Sequence, residues 1–454
     1  MKTVLYAILL LVLCPEVMGS WVENTIAESF NGANSVDTCD IDGDGDSDVV
    51  ASAWNSGVAW IENSNGTFIF HSIDDGFTGA IFVSAGDMDA DGDCDILASS
   101  NSSAAIRWWE NSGSGDFTPH TVTDSFSGVH SVYMSDMDSD GDIDILAASF
   151  GTGTICWWEN DGNENFLPDT VTSSINGIWT AFPVDLDVDG DMDVAGAART
   201  ANEICWWEND GSMSFTHHSV DTDLTGAHIV LCTDIDQDGD SDILATGRIA
   251  DEIRLYINSG NEVFTPYTIL SDYDWPTFIS ASDLDNDGDV DIACAAYNEG
   301  DVSWLANDGQ EHFTLHCISS AQAGAIPVLT CDLNQDGWPD IVNAAYGLNT
   351  VTLWENDLPN GMETPGEAGV LSGVRTAVNP SGEIIQVHFK LAETSRVCVN
   401  IYDTSGRVVA SGVFSSLDAG QHSCSFRIDA PGSYFLRVDT GTDCVSETVT
   451  VLSR

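Results

Sequence analysis

One pattern of apolar and polar runs repeats along most of the chain. In the stretch Gly128–Ile175 an apolar run, His130–Met134, leads into nine residues of alternating aspartate. There follow Ile145-Leu146-Ala147-Ala148, a Gly/Thr turn from Gly151 to Thr154, the run Ile155–Asn160, a turn at Asp161-Gly162 and a last run from Phe166 to Val171. Each run is short, rich in β-branched and aromatic residues and bounded by turn formers, and none has helical spacing. The pattern therefore predicts four strands. The aspartate ladders begin at Asp40, Asp87, Asp136, Asp185, Asp234, Asp283 and Asp332, at intervals of 47 or 49 residues. A four-stranded unit repeated at a period near 50 predicts the blades of a β-propeller.

The strand order also predicts how the ring closes. Trp108-Trp109-Glu110-Asn111, Trp157-Trp158-Glu159-Asn160 and Trp206-Trp207-Glu208-Asn209 are near copies of a third strand, with Trp60, Trp304 and Trp354 in diverged versions. Fourth strands start at Phe68, Phe117, Phe166, Phe215, Phe264 and Phe313, but no copy follows Trp354-Glu355-Asn356. The absent copy stands at the other end, where Trp21–Ile26 fits the pattern. The expected fold is all-β: a seven-bladed propeller over residues 21–358, closed by the N-terminal strand and lacking an open edge. The Trp series is read as packing between blades.

Six ladders read D-x-D-x-D-G-D-x-D. Alternating carboxylates at positions 1, 3 and 5, a glycine turn at 6, a backbone carbonyl at 7 and Asp at 9 form an all-oxygen shell suited to Ca²⁺. The expected ligand sets are Asp40, Asp42, Asp44, Asp46, Asp48; Asp87, Asp89, Asp91, Asp93, Asp95; and Asp136, Asp138, Asp140, Asp142, Asp144. They continue with Asp185, Asp187, Asp189, Asp191, Asp193; Asp234, Asp236, Asp238, Asp240, Asp242; and Asp283, Asp285, Asp287, Asp289, Asp291. The seventh is Asp332, Asn334, Asp336, Trp338, Asp340, where Asn334 keeps an oxygen but loses a charge, so weaker binding is expected. Up to seven Ca²⁺ are expected. The position-7 Asp side chains are read as excess charge facing solvent.

Composition narrows the function classes. Net charge is −61, and only four arginines (Arg107, Arg199, Arg248, Arg254) lie among the propeller acids, which excludes a nucleic-acid partner. Residues 1–20 have the charged start and apolar core of a secretory signal, too short for a membrane span, and no later transmembrane segment is expected. The cysteines, including Cys39, Cys156, Cys205 and Cys331, are read as buried free thiols rather than bridges.

The ladders and their blade context resemble the VCBS / FG-GAP-like repeats, relatives of the calcium-binding propeller of integrin α subunits. The resemblance implies calcium at the loops between the first two strands and binding on the opposite face. Literal Phe-Gly and Gly-Ala-Pro signatures are absent, so integrin-like ligand binding does not carry over. After a linker at 359–372, residues 373–454 alternate apolar and polar positions as a small Ig-like β-sandwich. Asn379-Pro380, Val399–Val409 and Gly432–Val438 resemble the C-terminal sorting domain of type IX secretion. That implies partnership with the type IX machinery and a secreted or cell-surface protein of a Gram-negative bacterium.

No catalytic constellation stands out; G-x-S-x-G and H-E-x-x-H patterns are absent. His71, His120, His218 and His316 share one fourth-strand position and are read as inherited repeat residues. The informative positions are those where repeats differ. Six residues after each ladder stand Trp54, Asn101, Phe150, Arg199, Arg248, Tyr297 and Tyr346, and six before stand Asn34, Ile81, His130, Trp179, His228, Thr277 and Ile326. Trp54, Phe150, Arg199, Arg248, Tyr297, Tyr346, His130, Trp179 and His228 are the expected ligand face. The expected function is a monomeric, calcium-binding adhesion module for an extracellular glycan or protein. A propeller lyase or hydrolase using His130, His228, Arg199 and Arg248, or a purely structural envelope protein, are the alternatives.

Overall fold

The computed structural model describes residues 20–260, 263–357, 371–378, 384–391, 395–403, 408–427, 432–439 and 444–451. The expected signal (through residue 19), most of the linker and the Asn379-Pro380 pair lie outside the described residues. The chain divides into a propeller unit, Trp21–Asn356, and a second unit that holds the tail.

The propeller has seven four-stranded antiparallel sheets. Blade 1 runs through Ala33–Cys39, Asp48–Ala53, Gly57–Ser64 and Thr67–Asp74, and the next five repeat that order. In blade 7, Ala325–Cys331, Asp340–Ala345 and Thr350–Asp357 come from the end of the unit, and Ser20–Ala27 adds the outer strand. The predicted closure is the observed one.

The second strand of every blade is buried on both faces, as in Asp144–Ser149 and Asp291–Ala296. Each blade packs its apolar residues on the next. Val50, Val58 and Trp60 of blade 1 meet Phe77, Val83, Ile96 and Trp109 of blade 2. At the seam Ile26 and Phe30 join Val342 and Leu353. Trp108, Trp109, Trp206 and Trp207 are among the largest fully buried side chains, so the Trp series fills the wedges between sheets. The shared fourth-strand histidines are structural as well. His71, His120, His218 and His316 stack on Trp60, Trp108, Trp206 and Trp304 at 4.4–4.7 Å between ring centroids. The first three also lie 2.8–2.9 Å from Glu62, Glu110 and Glu208.

One expectation is overturned. Cys39 and Cys94 form a disulfide joining blade 1 to blade 2. Cys39 stands just before the first ladder and Cys94 at position 8 of the second, a pairing that the repeat period does not align. Cys156 and Cys205 are buried free thiols, as expected.

In the tail unit, Leu371–Val378, Ile384–Leu391 and Gly420–Arg427 form one antiparallel sheet. Val408–Leu417, Ser395–Asp403, Gly432–Asp439 and Cys444–Val451 form a second.

Candidate functional site: aspartate loops and an axial funnel

The ladders are the turns between the first and second strands, so they lie at one end of every blade. At position 6 the glycines take φ between +89° and +102°, a left-handed conformation that a side chain would strain. The nearby amides then turn inward. In loop 1, Gly45 donates its N–H to Asp40 Oδ2, and the Asp44 and Asp46 amides donate to Asp42 and Asp44.

The ninth aspartate is a clasp. Asp48 is fully buried; its Oδ2 accepts the Ile41 N–H at 2.9 Å and its Oδ1 the Asn63 N–H at 2.7 Å. The same pair of bonds recurs at Asp95, Asp144, Asp193, Asp242, Asp291 and Asp340. Burial is the main cause that pushes these carboxyls up, Asp48 to about 6 and Asp144 to about 7, with neighbouring carboxylates adding to it.

The donor set fits a hard cation. Asp40, Asp42 and Asp48 bring carboxylate oxygens within 4.8 Å of one another, as do the corresponding aspartates of loops 2 and 3. The first-position oxygens Asp87 Oδ1 and Asp185 Oδ1 are buried without a hydrogen-bond partner. A buried carboxylate oxygen left over beside two other carboxylates is what a cation would satisfy.

Position 7 departs from expectation. Asp46 accepts the Asn65 N–H at 2.9 Å. A Cβ on Gly113, Gly162, Gly211 or Gly260 would fall 2.4–2.6 Å from the Asp93, Asp142, Asp191 or Asp240 carboxylate. These side chains therefore lie half-buried against the turn between third and fourth strands. That turn uses glycine at φ +72° to +77°, and the aspartates do not simply face solvent.

At the opposite end of the blades the first strand carries a β-bulge in all seven copies. Pairing jumps over Asn34, Ile81, His130, Trp179 and Thr277, and over His228-Ile229 and Ile326-Pro327. A bulge re-aims a side chain that regular pleating would point elsewhere. All seven bulge positions where the repeats disagree line one axial funnel of about 280 Å³. Trp54, Arg248, Tyr297 and Tyr346 line it too, from the turns that follow the second strands.

Phe150 and Arg199 lie against the funnel wall rather than in its lining. Trp179 stacks on His130 at 3.8 Å, meets Phe150 at 5.2 Å and lies under the Arg199 guanidinium at 4.7 Å. His228 is buried; its Nδ1 contacts the Thr277 carbonyl at 3.1 Å and its Nε2 the Arg248 Nη1 at 3.4 Å. Burial, followed by the two arginines, holds His130 down at about 4 and His228 well below the usual histidine range. Both imidazoles are thus neutral at physiological pH.

Sequence spacing did not single out Trp275, which lies under Arg248 at 3.9 Å and reaches the funnel from the loop before the blade-6 bulge. Its signal was weak: a lone aromatic without counterparts at that place in other blades. Phe82 and Phe278, 6.3 Å apart, line both the funnel and a second cavity that holds Tyr133 and Phe182, so they form the floor between the two.

Seven blades, aspartate loops at one end and a funnel at the other define a repeat propeller with acidic loops. Six overlapping matches to the FG-GAP-like repeat cover residues 40–98, 87–147, 136–196, 185–245, 234–294 and 283–343. The chain belongs to the FG-GAP-like repeat family. Residues 379–451 match the secretion system C-terminal sorting domain, which makes this a secreted or cell-surface protein sorted by its tail. No curated protein matches the chain. Among solved structures, BBS1N in complex with ARL6DN, soaked with mercury, is similar at 9% identity and a TM-score of 0.53, over 75% of this chain and 98% of that one. The same complex soaked with lead gives 11%, 0.52, 75% and 97%. At such identities the likeness is one of fold alone.

Proposed function

We propose that the protein is an exported, calcium-stiffened propeller that captures an extracellular glycan or protein ligand in its axial funnel. The observation that carries this reading is the set of seven bulges. They direct seven side chains of five kinds into one cavity, whereas the surrounding framework is nearly invariant from blade to blade. A cavity walled by aromatics with a few polar groups is the usual form of a ligand site. The lining includes no Asp or Glu, and His228 has both ring nitrogens engaged, features that favour binding over acid–base chemistry. The aspartate loops would hold Ca²⁺ as struts at the far end, neutralising part of a charge of −61. Residues 1–20 would direct export and the tail would engage the type IX machinery of a Gram-negative cell, with the protein acting as a monomer.

The test is glycan-array and surface-ligand binding by wild type and Trp54→Ala in calcium buffer. The reading expects a ligand whose retention falls in the variant. Turnover of a bound polysaccharide, lost on His130→Ala, would replace the reading with an enzymatic one.

A further inference from the structure

The propeller has four arginines, and they divide into two pairs. Arg254 binds Asp221, Asp223 and Glu252, each at 2.8 Å, and Arg107 faces Asp74 and Asp124 at 3.7–3.8 Å. Among the described residues no carboxylate lies within ion-pair distance of Arg199 or Arg248. In a chain with 73 acidic residues against 12 Lys and Arg, two cations without an acidic partner, both beside the same cavity, are a local inversion of the protein's charge. Arg248 Nε is also a buried donor with no partner.

The funnel is lopsided as well. Blades 3 to 5 supply His130, Trp179, His228 and Arg248, with Arg199 behind them over Trp179, whereas blades 7 and 1, across the ring, supply Tyr346 and Trp54. The Arg248 guanidinium lies over Trp275 and that of Arg199 over Trp179; Arg248 Nη1 meets His228, and its Nε is left as a donor without a partner.

We infer that the funnel takes a carboxylated sugar ring, a uronate residue of an acidic polysaccharide, with Arg248 and Arg199 at its carboxylate and Trp54 and Tyr346 at its apolar face. The inference rests on the binding function proposed above and narrows its ligand class. A guanidinium fork matches a carboxylate. A pyranuronate carries that group directly on a ring whose C–H face suits an aromatic wall. An acidic peptide side chain offers the carboxylate without the ring.

The experiment is calorimetric titration in buffer with fixed calcium, using a glucuronate trimer, the same trimer after carboxyl reduction, and hexaglutamate. The expected result is binding of the uronate alone. A drop of at least ~10-fold is expected in Arg248→Gln and in Arg199→Gln, since a charged hydrogen bond is lost. Arg199→Gln acts at the rim and guards against a folding defect in the buried variant. Equal binding of uronate and reduced trimer would overturn the acidic assignment and leave a glycan-binding funnel. Hexaglutamate binding as tightly as uronate would overturn the sugar. If folded wild type binds neither trimer, the inference fails, and Trp54-dependent retention of another ligand decides separately whether the binding function stands.

Discussion

The side-chain amide of Asn63 donates to the Leu333 carbonyl at 2.9 Å, joining blade 1 to blade 7 across 270 residues of chain. Asn111, Asn258 and Asn356 make the equivalent bond to Ile41, Leu186 and Leu284 of the preceding blade. Each of these asparagines also gives its backbone N–H to the ninth aspartate of its own loop. The same residue therefore fixes the acidic loop and buckles it to its neighbour. Asn63→Ala should cost ~1–3 kcal/mol, because the Leu333 carbonyl is left buried without its donor. Asn160→Ala, which loses bonds to Ile143 and Gly162 within its own blade, should cost less. Urea unfolding of both variants checks this; equal losses would show that the inter-blade bond contributes nothing.

Calcium removal is expected to lower the melting temperature by several degrees, since ligands gathered in the folded state bind metal better than the unfolded chain. One loop saturated at ~100 times its dissociation constant adds ~2.7 kcal/mol. Asp138→Ala should remove one calcium per chain in a titration while sparing the Asp144 clasp, and the Asn334 loop should fill last. An unaltered stoichiometry in that variant would reject Asp138 as a ligand.

Reduction should weaken the ring at one joint. The Cys39–Cys94 bridge closes a separation of 55 residues. The chain-entropy estimate for such a loop is ~4 kcal/mol. Cys39→Ser with Cys94→Ser should unfold at lower denaturant than oxidised wild type, and dithiothreitol should erase the difference. A difference that survives reduction would trace the loss to packing instead.

His130 sets a pH dependence. The unfolded imidazole takes its proton near pH 6.5, but the folded one is held down to about 4 by burial and by the arginines. Between those values the unfolded chain binds more protons, so stability falls as pH drops from 6.5 toward 4 and is level above. His130→Gln removes that slope. The stability advantage of wild type over the variant should therefore shrink across the window, whereas aspartate titrations, common to both, cancel. A constant difference would mean that His130 titrates normally in the fold.

The propeller was legible because its signals are local and repeated. Strand runs, the glycine turn at position 6 and the fourth-strand pattern at Trp21–Ile26 each lie within one period, and their phase determines blade number and closure. The funnel was legible for a different reason: a bulge residue leaves the pleated register, so it escapes the packing that keeps other positions alike. What escaped the sequence crosses between blades. Cys94 has no counterpart in other ladders, and its partner lies off the repeat phase. Trp275 is likewise unique to its blade. The contact of the Asp93 carboxylate with Gly113 lies within one blade, but it depends on one turn folding over another, which residue order alone does not display.

The strand Ser20–Ala27 has a consequence in time. It emerges early during synthesis, yet its hydrogen-bonding partner, Thr350–Asp357, is made last among the propeller strands. Until then blade 7 cannot form, and contacts of such long separation are slow to find. The ring is therefore committed only once its whole length is available. A chain halted before Thr350 would present an unpaired first strand and an unfinished last sheet.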